Sequence, residues 1–255
     1  MIANYHTHTW RCGHAAGTEE EYVRNAISRK LRILGFSDHT PYLFPDGYYS
    51  HFRMKPDQLE DYVRIILDLR SRYADKIDIH LGVEAEYYPA YFHDTLQMLK
   101  DGGVEYMLLA MHFIDNEIGA AYSGQPTANE ALLRRYCHQA MDAMETGLFT
   151  YFAHPDLFRF TGEEKVYEKH MREMCRKAKE CGIPLEINLL GVNENRHYPR
   201  PFFWNIAAEE GCSAIIGMDA HKPEAILDFP SEERALQLAA ERGIKVLENI
   251  PLRKI

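Results

Sequence analysis

Apolar positions along the chain follow two alternating rhythms. Short runs rich in β-branched and aromatic residues, IANYH (2–6), RILGFSDH (32–39), IDIHLGVEAEY (77–87), VEYMLLAMHFI (104–114), FTYFAHPDL (149–157), IPLEINLL (183–190) and SAIIGMDAH (213–221), read as strands. Between them lie longer stretches with apolar residues three and four apart. TEEEYVRNAISRKL (18–31) opens on a candidate cap, Thr18, with acids in its first turn. PDQLEDYVRIILDLRSRYAD (56–75) opens on Pro and acids. DTLQMLKD (94–101), NEALLRRYCHQAMDAMET (129–146), 163–181, PFFWNIAAEEG (201–211) and PSEERALQLAAERG (230–243) complete the set of helices. The stretch 40–55, dense in aromatic and turn residues, predicts a long loop, and IKVLENI (244–250) a closing strand or a tail.

Alternation of strand and helix implies parallel strands joined by helical crossovers. No G-x-G-x-x-G or Walker loop follows any strand, so a nucleotide-binding doubly wound sheet has no support. The expected fold is α/β, a single-domain TIM-like barrel over residues 1–255, with seven strands rather than eight.

Composition narrows the function. The 255 residues are 46% hydrophobic and 26% charged, ordinary for a globular enzyme. A net charge of −9 argues against nucleic acid as a partner, because nonspecific binding there needs basic side chains to neutralise phosphates. The five cysteines are scattered, with no C-x-x-C pair, as expected in a reducing cytoplasm. No apolar run approaches the roughly 20 residues of a membrane span, and no secretory signal is expected at the N-terminus.

Candidate chemistry gathers at one end of each unit. His6 and His8 end the first strand, Asp38 and His39 the second, Glu84 and Glu86 the third and His112 the fourth. His154 and Asp156 end the fifth, Glu186 and Asn188 the sixth, Asp219 and His221 the seventh. In a parallel barrel these C-terminal strand ends converge on one mouth. Residues i and i+2 of a strand share a face, so His6 and His8 can grip one ion, and Asp219 with His221 can do the same or reach two. Mixed imidazole and carboxylate ligands suit zinc, manganese or iron better than magnesium or calcium. His51, His80, His93, His138, His170 and His197 show no such placement, and Cys12, without a second cysteine nearby, is a bystander.

The motifs HTH (6–8), CGH (12–14), FSDH (36–39), GVEAEY (82–87), MHF (111–113), AHPD (153–156) and MDAH (218–221) resemble, in order, those of the PHP (polymerase and histidinol phosphatase) superfamily. Within it the chain is most similar to the monofunctional histidinol-phosphatase branch, through Arg53–Tyr62, GVEAEYYP, AMHFI and EIN at 186–188. The resemblance implies a distorted (β/α)7 barrel with three divalent transition metal ions. The first would take His6, His8, Glu84 and Asp219; the second the bridging Glu84 with His112 and His154; the third His14, His39 and His221. It also implies a small phosphomonoester substrate and hydrolysis of L-histidinol phosphate in histidine biosynthesis, and leaves a homodimer open.

Clustered divalent ions activate water and stabilise phosphoryl oxygens, which phosphate-ester hydrolysis requires. Glu84 and Asp219 are expected at the reaction centre, with Asp38 or Asp156 orienting ligands or protonating the leaving oxygen. Arg159 and Arg196 are the expected phosphate clamp, with Arg11 and Arg53 behind them. Competing readings are a PHP-type phosphoesterase acting on nucleotides or phosphotyrosine, an amidohydrolase, and a regulatory module without turnover. The missing strand-end lysine counts against the amidohydrolase, and the complete ligand set against the module.

Overall fold

The computed structural model describes all 255 residues. Its eight strands, β1 (Ala3–Asn4), β2 (Ile33–His39), β3 (Asp78–Glu86), β4 (Tyr106–Ala110), β5 (Phe149–Phe152), β6 (Leu185–Asn188), β7 (Ser213–Gly217) and β8 (Lys245–Leu247), pair in parallel and in chain order. The helices that cross between them are α1 (Glu19–Ser28), α2 (Leu59–Arg72), α3 (Phe92–Asp101), α4 (Glu130–Glu145) and α5 (Glu164–Glu180). Then come α6 (Leu189–Asn193), α7 (Pro201–Glu209) and α8 (Phe229–Glu241). No helix is long and apolar enough to cross a membrane.

The count of seven or eight strands depends on which end of the barrel is viewed. At the mouth the chain beyond β1 meets the chain beyond β7: Thr7 bridges Ala220, and the His8 N–H donates to the Ala220 carbonyl at 2.9 Å. Seven strand directions close there. At the opposite end 244–250 supplies the short β8 beside β7, followed by a tail whose Ile250 enters the barrel floor. The distorted TIM-like barrel read from the sequence is thus present, and its distortion is this split closure.

Sequence reasons for the helices are visible at their ends. Glu21 reaches back to accept the Thr18 backbone N–H at 2.7 Å, a capping box at the start of α1. Asn129 accepts two N–H groups of the first turn of α4. The largest core cluster lies between sheet and helices, and a smaller one, with Tyr5, Tyr106 and Tyr151, fills the barrel interior. Gly82 makes room for that interior layer, since a Cβ there would sit 2.3 Å from the Tyr106 ring.

Two expectations need correction. The apolar run 183–190 is not one strand: β6 stops at Asn188, whose side chain accepts the Gly191 N–H at 2.9 Å and starts α6. Leu189 and Leu190 prolong the apolar pattern but pack from a helix. The expected strands are also too long at their C-terminal ends, so His112, His154, Asp219 and His221 all lie in irregular backbone. His154 (φ 30°) and Asp219 (φ 48°) adopt left-handed conformations that non-glycine residues avoid. Such strain persists where surrounding contacts enforce it, commonly at functional sites.

Candidate metal centre and phosphate pocket

A cavity of about 450 Å³ opens at the mouth, lined by ligand-type side chains from six units: His14, His39, Glu84, His112, His154, Asp219 and His221. His6 and His8 lie directly beneath, fully buried, with their Nε2 atoms 3.1 Å apart. Four contacts tie the cluster together. His8 Nε2 lies 3.1 Å from Asp219 Oδ1, His6 Nε2 3.4 Å from Glu84 Oε1, His154 Nε2 2.8 Å from Glu84 Oε1, and His39 Nδ1 3.0 Å from Glu84 Oε2. His112 Nε2 is further out, 3.9 Å from Glu84 Oε1. Five overlapping compact groups could hold an ion: His6–His8–Asp219, His6–Glu84–His154, His14–His39–His221, His8–His39–Glu84 and His8–Cys12–His221.

The outer ring nitrogens show what the inner ones are for. His14 Nδ1 lies 2.9 Å from the Cys12 carbonyl and His221 Nδ1 3.0 Å from the Asp219 carbonyl. A carbonyl only accepts, so both Nδ1 atoms carry the proton and both neutral rings present a lone pair at Nε2. Those Nε2 atoms face each other at 3.0 Å. Burial, helped by the nearby His8 charge, lowers both rings' basicity, that of His221 to about 3, so neither donates to the other. Two opposed lone pairs repel unless a shared cation lies beside them, and the donor set therefore fits a metal.

The deeper rings repeat the arrangement with carboxylates. His6 Nδ1 lies 2.7 Å from Glu186, His112 Nδ1 2.7 Å from Glu86, and His8 Nδ1 3.4 Å from Asp38. Each carboxylate fixes the tautomer and turns Nε2 toward the centre. Electrostatics follow from this density of charge. Burial opposes ionisation of Glu84, yet His112, His6 and His39 hold its carboxyl well below the usual range; Asp219 behaves likewise beside His6 and His8. Burial also opposes the His8 cation, but Asp219, Asp38 and Glu84 raise it to about 9. His154 Nδ1 is buried without a hydrogen-bond partner, and the 3.0 Å approach of His39 Nδ1 to Glu84 Oε2 is a close contact without hydrogen-bond alignment.

The structure sorts the remaining candidates. Glu84 and Asp219 line the cavity. Asp38 does not: it accepts the His39 N–H at 2.8 Å and the Thr9 hydroxyl from behind His8, a positioning residue rather than a reacting one. Asp156 turns away to accept the Arg200 N–H at 2.5 Å, where α7 begins, and burial pushes its carboxyl up to about 7. Arg196 lines the cavity, held by Glu194 (2.8 Å) and the Tyr198 hydroxyl (2.8 Å). Arg159 is exposed and lies outside the lining, because its backbone is tied to Ser123 and Thr127 in a different loop. Arg11 is buried between Glu19 and Asp61 and Arg53 between Glu86 and Glu117, so neither is free for phosphate. The thiol of Cys12 lies within 4.8 Å of His8 and His221 donors, but burial raises it far from the thiolate.

Sequence reasoning left Glu186, Glu86 and Asn188 without roles. Asn188 donates to both Glu186 (2.8 Å) and Asp219 (3.0 Å). The available signal was strand alternation, E-x-E at 84–86 and E-x-N at 186–188. Gly217 completes this inner support, since a Cβ there would fall 1.8 Å from Glu186 Oε1. The aromatic walls, Phe52, Phe113, Tyr122 and Tyr198, come from loops with no periodic signature.

The PHP domain family matches residues 4–189. The chain is 31% identical over 233 residues to a probable histidinol-phosphatase of Deinococcus radiodurans, covering 87% of each chain. It is 25% identical to one of Schizosaccharomyces pombe, covering 89% of this chain and 82% of that one. Among solved structures it is similar to histidinol phosphate phosphatase of Lactococcus lactis in complex with zinc, L-histidinol and phosphate. There the TM-score is 0.75 at 21% identity, over 98% of this chain and 96% of that one.

Proposed function

This chain belongs to the PHP domain family, and from that premise we propose that it is a metal-dependent phosphatase that hydrolyses L-histidinol phosphate to L-histidinol and phosphate. The observation that carries the chemistry is the convergence of imidazole Nε2 lone pairs and Glu84 oxygens at the cavity floor, with tautomers fixed from behind by oxygen acceptors. The relationship to probable histidinol-phosphatases, over 87% and 89% of this chain, supports the substrate.

In this reading three divalent ions would be held, one by His6, His8, Glu84 and Asp219, one by Glu84 with His154 and the more distant His112, and one by His14, His39 and His221. Such ions, zinc, manganese or iron, would supply water activation and charge stabilisation for the phosphoryl oxygens. The chain's own residues do the rest. Glu84 turns one oxygen toward His154 and the other toward His39, so it joins two halves of the centre. Arg196 presents a planar fork that matches two phosphate oxygens and would exchange Glu194 for the substrate. Phe52 and Phe113, stacked with ring centres 5.6 Å apart, and Tyr122 wall the cavity with apolar surface wide enough for a flat imidazole.

Phosphate release from L-histidinol phosphate, beside nucleotide and phosphotyrosine esters, tests the proposal. Fast turnover of histidinol phosphate that EDTA abolishes is the expected result. Weak turnover of it beside fast turnover of another ester would assign the same site to a different substrate.

A further inference from the structure

Arg53 sits at the end of the aromatic loop, its side chain wholly buried outside the cavity. Burying a guanidinium costs several kcal/mol unless it is well paired. Here the pairing joins separate pieces of the mouth. Nη1 lies 2.8 Å from Glu86 Oε2 at the end of β3, and Nε donates to Glu117 Oε2 at 2.8 Å in the segment after β4. Nη1 also reaches the Thr40 carbonyl just past β2, and Nη2 the Tyr88 hydroxyl, each at 3.3 Å. A forked guanidinium can serve these acceptors together; a lysine ammonium cannot span both carboxylates.

The other oxygen of Glu86 accepts from His112 Nδ1 at 2.7 Å. The residue before Arg53, Phe52, lies against the rings of both His39 and His112, at 5.4 and 6.1 Å between centres. Loop, carboxylate and imidazole therefore form one chain of contacts from a pocket wall to a metal-type ligand. We infer that Arg53 is a positioning residue: by seating the 40–53 loop and holding Glu86, it sets the orientation of His112 and so couples the seating of the pocket wall to metal affinity. This rests on the reading of His112 as a metal ligand. A purely structural staple would lower stability without changing how the folded protein binds metal.

The test is zinc binding by metal-free protein in competition with a chromophoric chelator. Supports of ligating histidines typically carry about 10- to 100-fold in metal affinity, so Arg53→Lys and Glu86→Gln should each weaken one class of site by about tenfold or more. Because both act through one contact, the double variant should bind no worse than Glu86→Gln alone. The pair Arg53→Met with Glu117→Gln removes one charge of each sign and gives the same reading if the lysine variant does not fold. Zinc binding by these variants equal to that of the wild type, or multiplicative losses in the double variant, would overturn the coupling while leaving the proposed phosphatase intact. A wild type that takes up no zinc would overturn both.

Discussion

The inner and outer halves of the histidine cluster use the same ring differently. His6 and His112 rest their Nδ1 atoms on carboxylates, Glu186 and Glu86, deep in the barrel wall. His14 and His221 rest theirs on backbone carbonyls of Cys12 and Asp219, nearer solvent. A carboxylate makes the attached imidazole a more basic ligand than a carbonyl does. The inner half is also backed by a network, Asn188 and Gly217 behind Glu186 and Arg53 behind Glu86, whereas the outer half depends on loop backbone. The difference teaches that one cluster would hold one ion firmly and another more exchangeably.

Glu84 belongs to both halves, so its removal should do most. Glu84→Ala is expected to lower kcat for histidinol phosphate by on the order of 10³-fold or more, measured as phosphate release. A loss of only a few fold would show that the halves work without a common ligand. Next, Glu186→Gln should cost about 10- to 100-fold in zinc affinity or activity through His6, read by chelator competition. His14→Ala should cost less in affinity than His6→Ala, and the reverse order would dissolve the contrast.

The arginines give a third level. Arg196→Met removes a charged contact worth about 1.5–3 kcal/mol, or roughly 10- to 150-fold in kcat/KM, whereas exposed Arg159→Met should stay within about threefold. Equal losses in both would return Arg159 to the clamp. An effect of a different kind is expected on stability: Gly217→Ala forces a methyl against Glu186 and should cost about 1–3 kcal/mol in chemical denaturation.

The sequence showed the ligands more clearly than their supports. Alternating strands and helices bring strand ends to one mouth, so His6, His8, His39, Glu84, His112, His154, Asp219 and His221 could be gathered from position alone, and the structure brings them together. Supports are cross-barrel contacts. Glu186 reaches His6 only because Gly217, thirty-one residues later, lacks a side chain, and no local pattern reports that. Loop residues were hardest. Arg159 and Arg196 both follow strand ends, but a loop's path decides which guanidinium reaches the cavity, and only Arg196 does. The start of α6 was hidden because Leu189 and Leu190 continue an apolar run that Asn188 ends by capping.

The most direct test is a zinc titration of metal-free protein with histidinol-phosphate hydrolysis followed in the same samples. Two affinity classes separated by about tenfold or more, the weaker one lost on His14→Ala, with hydrolysis restored by zinc, is the predicted result. A single affinity class untouched by His14→Ala, or full hydrolysis by protein stripped of metal, would contradict the account.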